Sequence, residues 1–346
     1  MKNKKIAVIF AGQPRHFRHT FKSHLDFFNL DGYEFDFFIH AWNEQHYNVK
    51  TGTNSTWDNP FIENIDELKN DLIKIYNPKS IIVESQKGCK DLISDIKSLI
   101  YLMKSCKCHT KPDRFWGDPK NPMAALDRWL NGTHAGQVYS WQKATNLKIA
   151  YQEKNDIKYD GTIKFRLDNL LNFHHDNKKQ AFIDSICNHE RGGFIDRDKA
   201  DEYRTRMKFS WQNKPNKDYW NVGDMMFGGP SHVFDKLMKD IYVFLIRNYC
   251  KIIGNLDGKW SHLGSSEGVL GKKLVFDEIG TGQINVSHFP YRDYHVDHPD
   301  QSYKALFTLR QQEDEGRVKY LEQKESNEVI LSQHRKPKNP RNKDSE

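Results

Sequence analysis

The sequence of 346 residues lacks any apolar run near ~18 residues, the length of a membrane-spanning helix. Its first stretch, MKNKKIAVIFAG, resembles a signal peptide because lysines precede an apolar run. That run is too short, however, and Gln-Pro-Arg follows it where a cleavage site would need small residues. We therefore predict a first strand over 5–12.

Cysteine is scarce, and its number is odd, which argues against a framework of disulfides. The five cysteines are Cys89, Cys106, Cys108, Cys187 and Cys250. Their scatter favours a reducing, cytoplasmic location. Cys106, Cys108 and His109 form a candidate metal knot with Cys89, but the spacing matches no common zinc pattern.

Neither sign of charge dominates, because the sequence has 53 basic and 46 acidic residues and a net charge of +7. This moderate charge fits an anionic small ligand, peripheral association with a membrane surface, or nucleic acid. The lysines are spread along the chain instead of being clustered among aromatics, which disfavours nucleic acid. Aromatics make up 13% of the residues, which is typical of a globular protein with aromatic-lined clefts.

Strand and helix patterns alternate in the first part of the chain. Strands are predicted at 5–12, 33–42 and 79–85, with a helix around 64–76. The continuous apolar run of the first strand is typical of a central strand buried on both faces of a parallel sheet. The pattern predicts an α/β fold with a mainly parallel sheet.

The later chain is less regular. We predict loop with short helices over 86–133, a helix over 134–154, and a strand in YDGTIKFRL that ends with Arg166-Leu167-Asp168. Further predictions are strands at 192–196 and 221–230, the latter ending in a glycine turn, a cap at Ser231 and a helix at 232–249. We expect one domain over 1–310 and a charged, partly disordered tail over 311–346.

Two polar loops follow predicted strands, at the edge of an α/β sheet where ligands bind. In AGQPR, Gly12 permits close backbone approach, Gln13 can contact a base or sugar, and Arg15 can pair with a phosphate. This loop lacks the glycines of a dinucleotide-binding turn and the Gly-Lys-Ser/Thr of a P-loop. In HAWN, Trp42 and Asn43 can stack on and hydrogen-bond a nucleoside or sugar, although a core tryptophan with a capping asparagine has the same pattern.

The third feature is the pair Arg166 and Asp168, which lie two apart on the predicted strand and should therefore point to one face and into the same cleft. The carboxylate can hold a divalent cation and the arginine can bind phosphate. Asp224 and Glu267 are isolated carboxylates near glycines, and each has a structural alternative as a turn cap or a helix-start charge. The segment 287–298 holds several histidines and acids, of which His288 is a candidate second metal ligand.

These pieces, in this order, resemble bacterial and phage glycosyltransferases of the GT-A type. The resemblance spans roughly residues 4 to 295. The motifs are Gly12-Gln13-Pro14-Arg15, His40-Ala41-Trp42, the Gln137 to Lys143 helix segment, Arg166-Leu167-Asp168, Asp224-Met-Met-Phe227-Gly228 and Ser266-Glu267.

The resemblance implies a three-layer, GT-A-like fold and a hexosyltransferase-like activity in polysaccharide biosynthesis. A nucleotide-sugar donor would bind at the carboxyl edge of the sheet and react with a glycan-type acceptor. Mn²⁺ or Mg²⁺ would bridge the diphosphate through an Asp-x-Asp motif, but Arg166 replaces the first Asp and leaves Asp168. The donor-site candidates are Gly12, Gln13, Arg15, Trp42, Asn43, Gln137, Lys143, Arg166 and Asp168. The metal-ligand candidates are Asp168 and His288.

Glycosyl transfer needs positive charge at the departing nucleoside diphosphate and, in an inverting enzyme, a base at the acceptor hydroxyl. Asp224 is the first candidate for that base or for gripping the acceptor, and Glu267 is the second. The rival hypotheses are a sugar nucleotidyltransferase, for which the first loop lacks the usual Gly/Lys signature, and a non-catalytic glycan-binding or partner-binding module.

Overall fold

The computed structural model describes residues 3–15, 17–45, 61–105, 134–172, 176–188, 226–254, 269–270, 273–274, 277 and 287–290. The helices are α1 (Phe17–Phe27), α2 (Ile65–Tyr76), α3 (Lys90–Ser105), α4 (His134–Asn155), α5 (Asp176–Asn188), α6 (Ser231–Met238) and α7 (Ile241–Gly254). The strands are β1 (Lys4–Gly12), β2 (Tyr33–Trp42), β3 (Glu44–Gln45), β4 (Phe61–Ile62), β5 (Ser80–Glu84), β6 (Gly161–Phe165), β7 (Asn169–Asn172), β8 (Met226–Pro230) and β9 (Ser287–Pro290). All of them belong to one compact unit, Met1–Val296.

The central sheet has five strands in the order β5-β2-β1-β6-β8. The first four strands run parallel, and β8 pairs with β6 in the antiparallel direction. The predicted α/β class, the mainly parallel sheet and the central position of β1 are therefore confirmed. The pairs β3–β4 and β7–β9 are separate two-stranded antiparallel ribbons.

Successive side chains of β1 point to opposite faces of the sheet, so they belong to two separate layers of the core. Ile6, Val8 and Phe10 pack with residues of α1, α2 and α5 on one face of the sheet. Ala7 and Ile9 pack with residues of α3, α4, α6 and α7 on the other. Because helices cover both faces, every residue of β1 from Ile6 to Gly12 is buried, as its continuous apolar run predicts.

Local sequence explains where α2 begins and ends. The Asn64 side chain accepts hydrogen bonds from the backbone N–H groups of Asp66 and Glu67, which satisfies two donors that the first turn leaves unpaired. The acids of this turn and Lys74 in the last turn suit the helix dipole. Asn77 then adopts a left-handed conformation with φ of 44° and ends the helix.

The predicted strands at 5–12, 33–42 and 79–85 and the helices at 64–76 and 134–154 are confirmed, each boundary lying within one residue. Part of the segment predicted as loop with short helices is instead the 16-residue helix α3. The predicted helix over 232–249 is two helices, α6 and α7, separated by a turn at 239–240. The strand at 192–196, the residues 221–225 and the tail from 311 lie outside the described residues.

Two details near β8 differ from the prediction. The glycines Gly228 and Gly229 lie inside the strand and do not form a turn after it. Ser231 is the first residue of α6, and its hydroxyl makes no capping bond. That hydroxyl instead contacts Lys148 Nζ and accepts a hydrogen bond from Thr162 Oγ1 at 3.1 Å, so it joins α6 to α4 and β6.

Substituting Gly228→Ala should destabilise the protein by about 1–3 kcal/mol, the usual cost of overpacking a core. A Cβ at this position would lie 2.8 Å from the Thr162 carbonyl oxygen and 2.9 Å from Ile186 Cδ1. Denaturant unfolding measures the loss. The matched control is Gly88→Ala, whose Cβ would meet the Ser85 side chain at 3.2 Å, and it should change the free energy of unfolding by less than about 1 kcal/mol. Equal effects of both substitutions would contradict the assigned packing.

Candidate functional site

The four parallel strands end along one edge of the sheet, at Gly12, Trp42, Glu84 and Phe165. In open α/β sheets this carboxyl edge is where ligands bind. The first turns of α4 reach the same edge, because Trp42 Nε1 donates to the Gly136 carbonyl oxygen at 3.3 Å. The fold brings the loops that follow β1, β2 and β6 to this edge. These loops carry five of the nine predicted donor-site residues, which are Gln13, Arg15, Asn43, Arg166 and Asp168.

Arg166 and Asp168 form a two-pronged ion pair in the turn between β6 and β7. Arg166 Nε donates to Asp168 Oδ1 at 2.8 Å, and its Nη2 donates to Oδ2 at 2.6 Å. The Asp168 side chain is 1% exposed and that of Arg166 is 15% exposed. Since β6 ends at Phe165, the two residues do not share one face of a strand as predicted. They pair through the turn instead.

A second guanidinium group comes from the loop after β1. Arg15 Nη1 lies 3.8 Å from Asp168 Oδ2, and its side chain is only 10% exposed. Arg15 Nε donates to Gln13 Oε1 at 2.8 Å, which fixes the orientation of the guanidinium plane. The group of Arg15, Arg166 and Asp168, called here the arginine cluster, therefore holds two positive charges and one negative charge.

Glycine is needed where β1 turns into this loop. Gly12 has φ of +114°, a value that is strained for residues with a Cβ. A Cβ added at Gly12 would meet no atom within 4 Å, so the requirement comes from backbone conformation and not from space. The turn directs the following residues toward the end of β6, where Arg15 meets Asp168.

Helix α1 fixes the backbone beyond β6 through three side chains. Thr20 Oγ1 donates to the Leu167 carbonyl oxygen at 2.5 Å, and Ser23 Oγ accepts from the Leu171 N–H at 3.2 Å. His24 Nε2 lies 2.6 Å from the Asn169 carbonyl oxygen. These bonds hold the turn on both sides of Asp168, so α1 determines where the carboxylate lies.

His24 is fully buried and is held in one neutral form by its partners. A carbonyl oxygen only accepts, so Nε2 carries the proton, and Nδ1 accepts from the Tyr76 hydroxyl at 2.8 Å. Burial lowers the pKa of His24 from 6.5 to about 4, against the smaller raising effects of its bond to the Asn169 carbonyl and of nearby Asp168. Burial likewise raises the pKa of Tyr76 well above 10, so Tyr76 stays a donor.

A second polar group lies at the ends of β2 and β5. His40 Nε2 donates to Glu84 Oε1 at 2.8 Å, and its Nδ1 lies 2.7 Å from the hydroxyl of Ser140 on α4. Burial lowers the pKa of His40, and the bond from His40 lowers the pKa of the Glu84 carboxyl. Lys143 acts on both groups electrostatically, and its Nζ lies 5.0 Å from the centre of the Tyr139 ring.

Trp42 and Asn43 hold the structure around this edge together. Trp42 is 1% exposed and its ring stacks on that of Tyr139, with 5.6 Å between the centroids. Asn43 Nδ2 donates to the Glu63 carbonyl oxygen at 2.9 Å, which ties β2 to the segment before α2. Trp42 is thus packed in the core, whereas Asn43 makes a loop contact and does not cap a helix as the alternative proposed.

The remaining candidates differ in what the structure describes. Gln137 is half-buried in the first turn of α4, near the Gly136 contact with Trp42. The backbone of His288 pairs with Leu171 in the β7–β9 ribbon, and its side chain lies outside the described part of the molecule. Asp224 and Glu267 also lie outside the described residues.

The described residues of the arginine cluster do not fit a divalent metal ion. Both oxygens of Asp168 already accept bonds from Arg166, and Arg15 lies on the same side of the carboxylate. A cation there would face two guanidinium charges. Within the described ranges, no three His, Cys, Asp or Glu side chains are grouped as metal ligands. Among these three residues, guanidinium groups, which pair with carboxylates and phosphates, thus outnumber the carboxylate.

Several residues at this edge were not predicted. Asn169, His24 and the His40–Glu84 pair are all buried or half-buried polar groups that contact the candidate loops. Asn169 and Glu84 had a usable signal, because each lies at or just beyond the carboxyl end of a predicted strand. His24 had none, since its partners are 52 and 145 residues away in sequence.

Models of known protein families give no match to this sequence, and neither do curated proteins. Among the described helices, none is long and apolar enough to cross a membrane. The site is therefore interpreted from its own geometry and from the motifs in the sequence.

Lowering the pH from 6.5 to 4 should reduce stability through His24. Its pKa is lower in the folded state, so the unfolded chain binds more protons in this range. The stability is complete above pH 6.5 and falls by up to ~3 kcal/mol as the pH drops toward the folded pKa. The measurement is the free energy of unfolding at several pH values for wild type and His24→Gln.

The Gln side chain can donate to the Asn169 carbonyl and accept from Tyr76, but it does not titrate. The variant should therefore show a shallower fall in stability between pH 6.5 and 4 than the wild type. Other titrating groups, including His40, are present in both proteins, so their contributions cancel when the two stability curves are compared. Parallel curves would show that His24 is not held in the neutral form.

Proposed function

We propose that this protein is a glycosyltransferase that moves a sugar, of the hexose type, from a nucleotide-sugar donor to a hydroxyl of a glycan-type acceptor. The observation that carries this proposal is the arginine cluster at the carboxyl edge of a mainly parallel α/β sheet. The order of motifs, which resembles that of GT-A-type glycosyltransferases, supports the same conclusion. The GT-A-like form of the fold belongs to the proposal.

The chemistry of the transfer matches the charges of the cluster. When the bond between sugar and diphosphate breaks, negative charge grows on the leaving phosphate, and preorganised cations stabilise it. Arg15 and Arg166 supply two positive charges, and Asp168 neutralises one and fixes their positions. Asp168 is thus a positioning residue in this mechanism, while the guanidinium groups contact the diphosphate.

The acceptor hydroxyl needs a base if configuration is inverted. Asp224 is proposed for that role or for gripping the acceptor, and Glu267 is the second candidate. Both assignments rest on the sequence. The Mn²⁺ or Mg²⁺ that Asp-x-Asp enzymes use is not part of this mechanism, since arginine takes over the neutralisation of phosphate.

The decisive experiment incubates the full chain with a panel of nucleotide sugars and measures released nucleoside diphosphate. Hydrolysis by water reports the same bond cleavage, so the acceptor need not be known. We expect release with at least one donor, and about a 100-fold loss in Arg15→Ala and in Arg166→Ala. Arg247→Ala, which removes an exposed guanidinium on α7, is the matched control and should keep full activity.

Two outcomes would overturn the proposal. Release of pyrophosphate from a nucleoside triphosphate and a sugar phosphate would identify a nucleotidyltransferase. Glycan binding without cleavage of any donor would identify a binding module. Full activity of Arg15→Ala and Arg166→Ala would show that the bond is broken elsewhere in the molecule.

Turnover should persist in excess EDTA, because two guanidinium groups take the place of a divalent ion. The comparison is the rate of diphosphate release with EDTA and with added Mn²⁺. A matched variant is Arg166→Asp, which restores Asp-x-Asp and should make the remaining activity dependent on Mn²⁺. Wild-type activity that disappears in EDTA and returns with Mn²⁺ would instead support Asp168 as a metal ligand.

A further inference from the structure

Unsatisfied polar atoms are concentrated at the carboxyl edge of the sheet. In the part of the chain that the structure describes, five buried side-chain nitrogen or oxygen atoms lack a hydrogen-bond partner, and three of them belong to Asn43 and Asn169. These residues follow β2 and begin β7, on either side of the central strand β1. Buried polar groups are nearly always paired in native proteins, so such a concentration needs an explanation.

Asn169 is the extreme case, because both its amide oxygen and its amide nitrogen lack partners. The residue is 0% exposed, so bulk solvent does not reach the amide. Leaving a buried donor or acceptor unsatisfied costs about 1–3 kcal/mol. A leucine of similar size would avoid that cost, which makes the amide unfavourable for folding alone.

The backbone of Asn169 is fixed by its own hydrogen bonds, so it cannot move to give the side-chain amide a partner. Its N–H donates to the Arg166 carbonyl oxygen at 3.3 Å, and its own carbonyl accepts from His24 at 2.6 Å. The residue opposite it in the β7–β9 ribbon is Pro290, which has no N–H to offer. The backbone of Asn169 is therefore fixed one residue beyond Asp168, in the turn that holds the arginine cluster.

We propose that Asn169 binds the hydroxyl groups of the sugar whose phosphate the arginine cluster holds. An amide has one acceptor and two donor hydrogens, which complement a pair of neighbouring hydroxyls. Asn169 directly follows Asp168, and consecutive Cα atoms are ~3.8 Å apart, a separation shorter than a sugar phosphate. This inference rests on the proposed function and adds to it a residue that distinguishes a sugar phosphate from phosphate alone.

The test compares the binding of inorganic phosphate with that of a panel of hexose and hexosamine 1-phosphates, by calorimetry on the full chain. The wild type should bind at least one sugar phosphate about tenfold more tightly than inorganic phosphate. Asn169→Leu should lose this preference and keep its affinity for inorganic phosphate. Asn169→Ala serves the same purpose if the larger side chain prevents folding.

A second readout separates a ligand contact from a structural role. Removing an amide that has no partner should leave the free energy of unfolding of the ligand-free protein unchanged or higher. The matched control is Gln152→Met, which removes another unsatisfied buried oxygen near the other end of α4. It should leave the sugar preference at the wild-type value.

The outcomes that overturn this inference are distinct from those that overturn the function. If wild type prefers sugar phosphate and Asn169→Leu keeps that preference, Asn169 is not the contact, and the proposed function stands. A loss of several kcal/mol in the ligand-free variants would show that the amide is satisfied in the folded protein. If the wild type binds no phosphate compound at all, both proposals fail. If the wild type binds sugar phosphates no more tightly than inorganic phosphate, only the role proposed for Asn169 is overturned.

Discussion

The structure around the candidate site depends on one buried carboxylate. Asp168 is almost fully removed from water and accepts two hydrogen bonds from Arg166, with Arg15 close to the same oxygen. A buried charge is tolerated only when it is paired, and losing one partner of such a pair costs about 3–5 kcal/mol. The turn after β6, the loop after β1 and the first turns of α1 are all arranged to satisfy this requirement.

The constraint extends outward through α1. Thr20 lies one turn before the adjacent residues Ser23 and His24, and the three side chains bond the backbone on both sides of Asp168. Tyr76 of α2 then fixes the proton position on His24. Hydrogen bonds between neutral groups thus connect the hydrophobic layer of α1 and α2 to the arginine cluster. In the arginine cluster, two guanidinium groups meet one carboxylate. Packing and charge placement are therefore coupled, and neither can change alone.

Strands and helices were predicted correctly from the sequence where the residues within the element determine its structure. The apolar run of β1 acts locally, and the strand that it predicts is present. The strand predicted at 33–42 and the helix predicted around 64–76 are present too, and the Asn64 cap found in the structure is also a local feature. The prediction failed where distant residues decide. The chain leaves the sheet at Phe165 and continues into β7, which pairs with β9 more than a hundred residues later. The roles of His24 and Ser231 have the same origin, since their partners are far away in sequence.

A buried ion pair at the opposite edge of the sheet differs in composition from the arginine cluster. Lys148 Nζ lies 2.7 Å from Asp235 Oδ2 and contacts Ser231, beside the start of β6. That pair has one charge of each sign, so the two charges balance. The pair joins α4 to α6. The arginine cluster instead brings two guanidinium groups to one carboxylate at the carboxyl edge of the sheet. Guanidinium groups form bidentate pairs with carboxylates and phosphates alike. The proposed function therefore assigns the phosphate of the donor to this edge, and a joining role to the pair of Lys148 and Asp235.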